Sequence, residues 1–122
     1  MDKKVLFIDD DAAWREIALN SLQDAGYSVV TAQDASEAME IAQGVALGLI
    51  VLDLNLAGES GFTFMKYLKH NHPDVPILLF TSMEHDDTTV RAMLDQGADQ
   101  YLRKNGIEEL IVTVGSYFRQ LS

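Results

Sequence analysis

Cysteine is absent from this chain of 122 residues, and proline occurs only twice. A chain without cysteine has no disulfide bond, no thiol chemistry and no cysteine-ligated zinc. Long hydrophobic runs are missing as well: no apolar segment is long enough to span a bilayer, and the first one ends at Asp9, too early for a secretory signal. We therefore expect a soluble, cytoplasmic protein without a membrane partner.

Basic residues are also scarce. Nine Lys and Arg residues stand against 19 Asp and Glu residues, which gives a net charge of −10. Binding to a nucleic-acid backbone depends on clustered Lys and Arg, so we expect no direct contact with nucleic acid. Hydrophobic residues make up 48% of the chain. This content and length predict one domain of ordinary size with a substantial core.

Five short apolar runs alternate with segments of helical periodicity. The predicted strands are Lys4–Ile8 and residues 27–32, 49–52, 75–81 and 99–103. In the fourth predicted helix, Val90, Met93 and Leu94 are expected to face the core. The helix start and stop signals are Asp11, Asp34 and Asp86 or Asp87 as N-caps, and Gly26 and Gly97 as C-terminal stops.

Strands that alternate with helices form a parallel sheet, because right-handed crossovers place the helices on both of its faces. The first, third and fourth runs are the most apolar, so we place them at the centre of the sheet and the other two at its edges. The strand order 2-1-3-4-5 satisfies this arrangement. The predicted fold is an α/β doubly wound, five-stranded parallel sheet with five helices, of the flavodoxin-like type.

The segment 49–61 is the centre of the sequence. It starts as an unbroken apolar run, carries the carboxylate Asp53 where that run ends, and continues through Gly58 and Gly61. A carboxylate at the end of a buried strand is costly unless it is paired or ligated. Ligands of parallel sheets bind at the carboxyl ends of the strands. We therefore predict that Asp53 is the reactive residue.

Two further carboxylates are predicted to converge on Asp53. Asp9 and Asp10 follow the first strand, which the predicted order places beside the third. Two carboxylates 4 Å apart repel by about 4 kcal/mol at an effective dielectric of 20, so such a cluster holds protons or a hard cation. Oxygen ligands alone favour Mg²⁺. A metal ion beside Asp53 would make this residue a nucleophile toward a phosphoryl group.

Two other strand ends supply groups suited to a phosphoryl group. Thr81 ends the fourth strand, and its hydroxyl can donate to a phosphate oxygen. Ser82 is small and offers a backbone N–H. Lys104 ends the fifth strand and brings a positive charge to the same rim. The combination of a carboxylate trio, a hydroxyl and one Lys at strand ends is more specific than any of its parts.

With these residues in view, the chain over residues 5–121 resembles the receiver domain of two-component response regulators. Arg15 stands where the family often has Arg, and residues 97–99 match its Gly-Ala-Asp. The functional matches are the acidic pair Asp9 and Asp10, the phosphoacceptor Asp53, the backbone carbonyl of Asn55 as a metal ligand, the switch residues Thr81 and Tyr101, and the phosphate-binding Lys104.

The resemblance implies a receiver domain at residues 3–121, with no output domain in this sequence. A sensor histidine kinase or a histidine phosphotransfer protein would donate the phosphoryl group to Asp53 with Mg²⁺ bound. Thr81 would then move toward the phosphate, and Tyr101 would turn inward. The face formed by the fourth helix, fifth strand and fifth helix would change for a downstream protein or a fused output domain. The resemblance further implies a phosphoacceptor with slow autodephosphorylation rather than an enzyme, as a monomer or a phosphorylation-dependent homodimer.

The sequence departs from the family at two positions. Ala57 stands where Pro is frequent, and Asn105 follows Lys104 where the family usually has a cis Pro. A cis bond before a non-proline residue costs about 2.5–4 kcal/mol, so this bond is either trans with a different loop or strained. Met83 occupies the position at which family members tune the lifetime of the phosphoryl group.

Several interpretations of other residues stay open. Trp14, on the inward stripe of the first helix, is either the edge of the core or a contact for the phosphodonor. His70, His72 and His85 are expected on the solvated surface.

Three alternative functions compete with the receiver hypothesis. A haloacid-dehalogenase-like phosphohydrolase would need its full nucleophile motif, and this chain has Ala where that motif ends. A flavodoxin-like electron carrier would need a phosphate cradle, and three carboxylates stand in its place. A degenerate receiver would act as a fixed binding module, but the retained site residues argue against it.

Overall fold

The structure is a computed structural model that describes residues 3–56, 59–82 and 84–121. The strands are β1 (Lys4–Ile8), β2 (Val29–Ala32), β3 (Leu47–Leu52), β4 (Asn55–Leu56), β5 (Glu59–Ser60), β6 (Ile77–Thr81) and β7 (Gln100–Arg103). The helices are α1 (Ala12–Asp24), α2 (Ala35–Gly44), α3 (Gly61–Asn71), α4 (Asp87–Asp95) and α5 (Glu108–Leu121).

Five of the strands form one parallel sheet in the order β2-β1-β3-β6-β7. This is the predicted order 2-1-3-4-5, in which β6 and β7 are the predicted fourth and fifth strands. The short strands β4 and β5 form a separate antiparallel pair directly after β3. This pair was not predictable from the sequence, because two-residue strands are too short to show a periodicity.

The core lies on both faces of the sheet because alternate residues of each strand point to opposite sides. On one face, Leu6 and Ile8 of β1 belong to the cluster that α2 and α3 cover. On the other face, Val5 and Phe7 belong to the cluster that α1 and α5 cover. All six residues of β3 are buried, as expected for the central strand of a doubly wound sheet.

The helix boundaries follow the predicted signals. Gly26 and Gly97 adopt φ angles of 101° and 129°, a backbone region that residues other than Gly rarely enter. In the described part of the chain, no helix is both long and apolar enough to cross a membrane. The N-caps are Asp11, Asp34 and Asp86, whose carboxylates accept from the backbone N–H groups of Ala13, Glu37 and Thr89.

The prediction that Leu94 faces the core is wrong. Its side chain is 40% exposed, whereas the neighbouring Met93 is only 4% exposed. Helix α4 has nine residues, and Met93 is the residue that it buries. A helix that contacts the edge strand β7 through so narrow a face leaves the adjacent apolar position in solvent.

Asp99, directly before β7, contacts both β6 and α3 at the amino ends of the strands. Its Oδ2 accepts from the backbone N–H of Ile77 at 2.8 Å and from Nζ of Lys69 at 3.1 Å. Lys69 also donates to the carbonyl of Val75 at 3.3 Å. The Asp of the Gly-Ala-Asp segment therefore satisfies the first N–H of β6 and anchors α3 to it.

Replacing Asp99 by Ala is expected to lower the free energy of unfolding by about 1–3 kcal/mol, because the N–H of the buried Ile77 loses its acceptor. Urea denaturation followed by circular dichroism measures this change. Asp95→Ala, at an exposed acidic position of α4, is the matched control and should change stability little. Equal losses in the two variants would contradict the proposed anchoring role.

Candidate functional site

The backbone hydrogen bonds of the sheet extend one residue beyond two strands. The N–H of Asp53 donates to the carbonyl of Ile8 at 3.0 Å, which places Asp53 beside the end of β1. The N–H of Lys104 donates to the carbonyl of Thr81 at 2.9 Å, which places Lys104 beside the end of β6. The carboxyl ends of β1, β3, β6 and β7 therefore lie at one edge of the sheet. The site residues are either the last residue of a strand or the residue directly after it.

Three carboxylates converge at this edge, as the sequence predicted. One ligand oxygen from each of Asp9, Asp10 and Asp53 lies within 4.8 Å of the others. Asp9 is fully buried, Asp53 is 5% exposed, and Asp10 is exposed. The cluster thus reaches from the interior to the surface, and all of its donors are oxygen atoms. Such a donor set suits a hard divalent cation.

The turn between β1 and α1 is held in place by two hydrogen bonds at Asp9, each between a side chain and the backbone. Oδ1 of Asp9 accepts from the N–H of Asp11 at 2.9 Å. Nη1 of Arg15, one turn into α1, donates to the carbonyl of Asp9 at 2.9 Å. These two bonds orient the carboxylate of Asp9 toward the strand ends, and they give Arg15 a positioning role in the turn.

Lys104 lies inside the site rather than on its rim. Its Nζ donates to Oδ2 of Asp9 in a very short hydrogen bond and to Oδ2 of Asp53 at 3.0 Å. The Lys104 side chain is only 4% exposed. The peptide bond between Lys104 and Asn105 is trans, which decides between the two geometries left open by the sequence.

Burial and hydrogen bonding raise the pKa values of two groups in the site, Asp9 and Lys104. Burial raises the pKa of the Asp9 carboxyl, and the hydrogen bond from Lys104 offsets only part of that rise. Burial alone would lower the pKa of Lys104, but its hydrogen bonds to Asp9 and Asp53 outweigh this effect and raise it. Both directions favour the protonated forms of the two groups.

The loop after Asp53 is tightly folded. Oδ1 of Asp53 accepts from the N–H of Asn55 at 3.0 Å, and Asn55 then opens the β4–β5 pair. At the end of this pair, a Cβ atom on Gly61 would lie 2.5 Å from both the Cα and the carbonyl oxygen of Leu54. Only Gly fits that contact. Ala57 is outside the described residues.

The remaining predicted residues lie along β6 and β7. Thr81 is fully buried as the last residue of β6, and Ser82 directly after it is exposed. Tyr101 is half-buried on β7. The prediction for Met83 falls outside the described residues.

The surface prediction for the histidines is confirmed for His70 but wrong for His72 and His85. His70 is exposed, whereas His72 and His85 are half-buried. The ring of His85 packs against Tyr101 in an edge-to-face contact, with centroids 5.9 Å apart. His85 directly precedes Asp86, the N-cap of α4, so this ring contact joins the start of α4 to β7.

No local sequence pattern predicted the aromatic rings beside Lys104. Its Nζ lies 5.4 Å from the ring centroid of Trp14 and 5.9 Å from that of Phe80. The two rings meet edge to face at 90°, with centroids 5.4 Å apart. The prediction of Trp14 as core edge is confirmed, but its position over the ammonium was not visible in helical periodicity.

Comparison with known proteins agrees with this fold and site. The model of the response regulator receiver domain matches residues 5–114. The chain therefore belongs to the response regulator receiver domain family of two-component signalling, a class of phosphoacceptors rather than of classical enzymes. This membership sets it apart from the haloacid dehalogenases and the flavodoxin-like electron carriers.

Individual relatives support the same family. Response regulator MprA from Mycobacterium sp. (strain KMS) is 36% identical over an alignment of 123 positions, which covers 100% of this chain and 53% of the relative. The chain thus spans about half the length of the curated relatives it matches.

Two solved structures extend the comparison. Chemotaxis protein CheY4 of Vibrio cholerae is 32% identical, with a TM-score of 0.87 over 96% of this chain and 99% of that one. Response regulator protein TrrA from Thermotoga maritima, solved in complex with Mg²⁺-BeF, is 28% identical, with a TM-score of 0.82 over 94% and 98% of the two chains.

Proposed function

We propose that this chain accepts a phosphoryl group on Asp53 from the phosphohistidine of a sensor histidine kinase or a histidine phosphotransfer protein. The observation that carries the proposal is the meeting of Asp9, Asp10 and Asp53 with Lys104 at the carboxyl ends of the strands. This arrangement supplies a nucleophile, a cation site and a positive charge within one pocket. Membership of the receiver family supports the same chemistry.

The residues present fit a bound Mg²⁺ ion. The three carboxylates offer oxygen donors within 4.8 Å of one another, two of them on buried residues. We propose that Asp9, Asp10, Asp53 and the backbone carbonyl of Asn55 hold the ion. Bound there, it would neutralise charge on the phosphoryl oxygens. The structure of TrrA in complex with Mg²⁺-BeF supports this assignment by family likeness.

The phosphoryl transfer itself requires little of the protein beyond placement and charge. A carboxylate oxygen of Asp53 forms a bond to phosphorus as the bond from phosphorus to the imidazole nitrogen breaks, and the imidazole keeps that electron pair. The N–H of Asn55 and the ammonium of Lys104 orient the Asp53 carboxylate for this attack. Lys104, the Thr81 hydroxyl and the Ser82 N–H then bind the phosphoryl oxygens.

The proposed output is a shift between two conformations. Thr81 moves toward the new charge and Tyr101 turns inward, so the face formed by α4, β7 and α5 changes shape. The receiver domain covers residues 3–121 in this proposal and functions in the cytoplasm, as a monomer or a phosphorylation-dependent homodimer. Its downstream partner is a separate protein or a fused output domain.

Intact-mass measurement after incubation with a small acyl or amido phosphate donor tests the function. We expect one added phosphoryl group that depends on Mg²⁺ and is absent from Asp53→Asn. Digestion and peptide mapping locate the group. The absence of an adduct under every condition would sink the proposal and indicate a degenerate receiver that acts as a fixed binding module. A stable adduct on Asp9 would instead favour phosphohydrolase chemistry.

A further inference from the structure

We propose that Trp14 is a positioning residue for Lys104. Its indole face holds the ammonium in the site when Asp9 and Asp53 bind a divalent cation or a phosphoryl group instead. The ammonium lies 5.4 Å from the Trp14 ring centroid, within the range of cation–π attraction, for which Trp is the strongest aromatic partner. This inference rests on the proposed function, because Lys104 is the residue that would bind the phosphoryl oxygens.

The geometry forms a corner around the ammonium. The Trp14 and Phe80 rings are perpendicular, and Nζ of Lys104 lies 5.4 and 5.9 Å from their centroids. Asp9 and Asp53 contact the same atom through hydrogen bonds. Carboxylates and aromatic rings together therefore confine the ammonium.

The two rings are needed because Asp9 and Asp53 also have to bind groups other than Lys104. Asp9 and Asp53 belong to the oxygen cluster suited to a divalent cation, and Asp53 is the proposed phosphoacceptor. Each oxygen committed to a metal or to phosphorus is withdrawn from Lys104. The side chain of Lys104 is 4% exposed, so water offers it little compensation. The two neutral rings keep their contact with the ammonium through that exchange.

Of the two rings, Trp14 is the one that can be substituted without removing a fully buried core residue. Phe80 is 1% exposed within β6 and belongs to the core, so its loss would damage the fold. Trp14 is half-buried on α1 and can be changed with less disturbance. It is also the only Trp of the chain. Trp14→Leu removes the π face but keeps apolar contact with Phe80, and Trp14→Phe keeps a smaller face.

The direct test is the NMR spectrum of the Lys104 ε-methylene protons, without and with saturating Mg²⁺. We expect an upfield ring-current shift in the wild type under both conditions, a large loss of it in Trp14→Leu and partial retention in Trp14→Phe. Loss of the shift in the wild type on addition of Mg²⁺ would overturn the proposal, because the ring would then not hold the displaced ammonium. This readout does not require phosphorylation, so it stands even if the proposed function fails.

A double-mutant cycle tests the consequence for the reaction. With Lys104 present, Trp14→Leu should slow phosphorylation by a small-molecule donor about 3- to 10-fold, and Trp14→Phe less. In a Lys104→Met background, the same Trp14 changes should alter the rate by less than about 2-fold. Equal slowing in both backgrounds would assign Trp14 a general structural role and overturn the inference. Should Trp14→Leu fail to fold, the Trp14→Phe cycle decides the question in the same way.

Discussion

Lys104→Met is expected to bind Mg²⁺ about tenfold more tightly than the wild type and to phosphorylate Asp53 about 100-fold more slowly. In the structure the Lys104 ammonium lies on Asp9 and Asp53, two of the three carboxylates that would hold the ion. A divalent cation must displace this charge before it can use those oxygens fully. Removal of the ammonium therefore removes a competitor, and it also removes a positive charge that the transferring phosphoryl group needs.

The size of the first effect follows from electrostatics. Two unit charges 4 Å apart interact by about 4 kcal/mol at an effective dielectric of 20. Rearrangement of the site reduces this energy, so we expect a tenfold change in Mg²⁺ affinity, which corresponds to about 1.4 kcal/mol. Without metal, the same variant should be less stable than the wild type, since it leaves two buried carboxylates without a cation. Saturating Mg²⁺ should restore much of that stability.

Isothermal titration calorimetry gives the Mg²⁺ affinity, and intact-mass time courses give the phosphorylation rate. Lys69→Met is the matched control, because Lys69 pairs with Asp99 at the other end of the sheet. The raised pKa of Lys104 keeps its ammonium charged through neutral pH, so the competition should not relax between about pH 6 and pH 9. Weaker Mg²⁺ binding in Lys104→Met would show that the ammonium assists the ion rather than excludes it.

The convergence of the site residues could be predicted because parallel strands have a simple geometry. Once the order of the strands is known, every strand end lies at a known place along one edge, and Asp9 and Asp53 become neighbours from their positions after β1 and β3. The same logic places Lys104 beside Thr81. Helix ends were predictable for a local reason, since Asp86 caps α4 through a residue three positions away.

Other features depend on contacts that no local pattern encodes. The contact between Lys104 and Trp14 joins residues near opposite ends of the chain, and the packing of α1 against β6 brings them together. His85 packs on Tyr101, which lies on β7 beyond the whole of α4 in the sequence. The exposure of Leu94 depends on how α4 is rotated against β7. Periodicity predicts which side of a helix is apolar but not how much of that side finds a partner.

Gly61→Ala is expected to lower the free energy of unfolding by about 2–4 kcal/mol and to weaken Mg²⁺ binding. The added Cβ would lie 2.5 Å from the Cα and the carbonyl oxygen of Leu54, and these backbone atoms cannot move aside as the end of a flexible side chain could. Either the start of α3 or the loop after Asp53 must shift. That loop includes Asn55, whose N–H donates to the Asp53 carboxylate and whose carbonyl is a proposed metal ligand.

Gly44→Ala provides the matched control, because no atom lies within 4 Å of the added Cβ and Gly44 ends α2 away from the site. This variant should be neutral or slightly stabilising, as Ala favours helix more than Gly does. Urea denaturation with and without Mg²⁺ separates the two expected effects, since a loop that has moved away from the metal site loses part of its Mg²⁺-dependent stabilisation. Gly61→Ala could lose stability but keep its full stabilisation by Mg²⁺. That result would mean that α3 shifts while the loop after Asp53 stays in place, and it would contradict the proposal that this loop positions the Asn55 carbonyl as a metal ligand. If both variants behave alike, the close approach of Gly61 to Leu54 does not hold this loop in place.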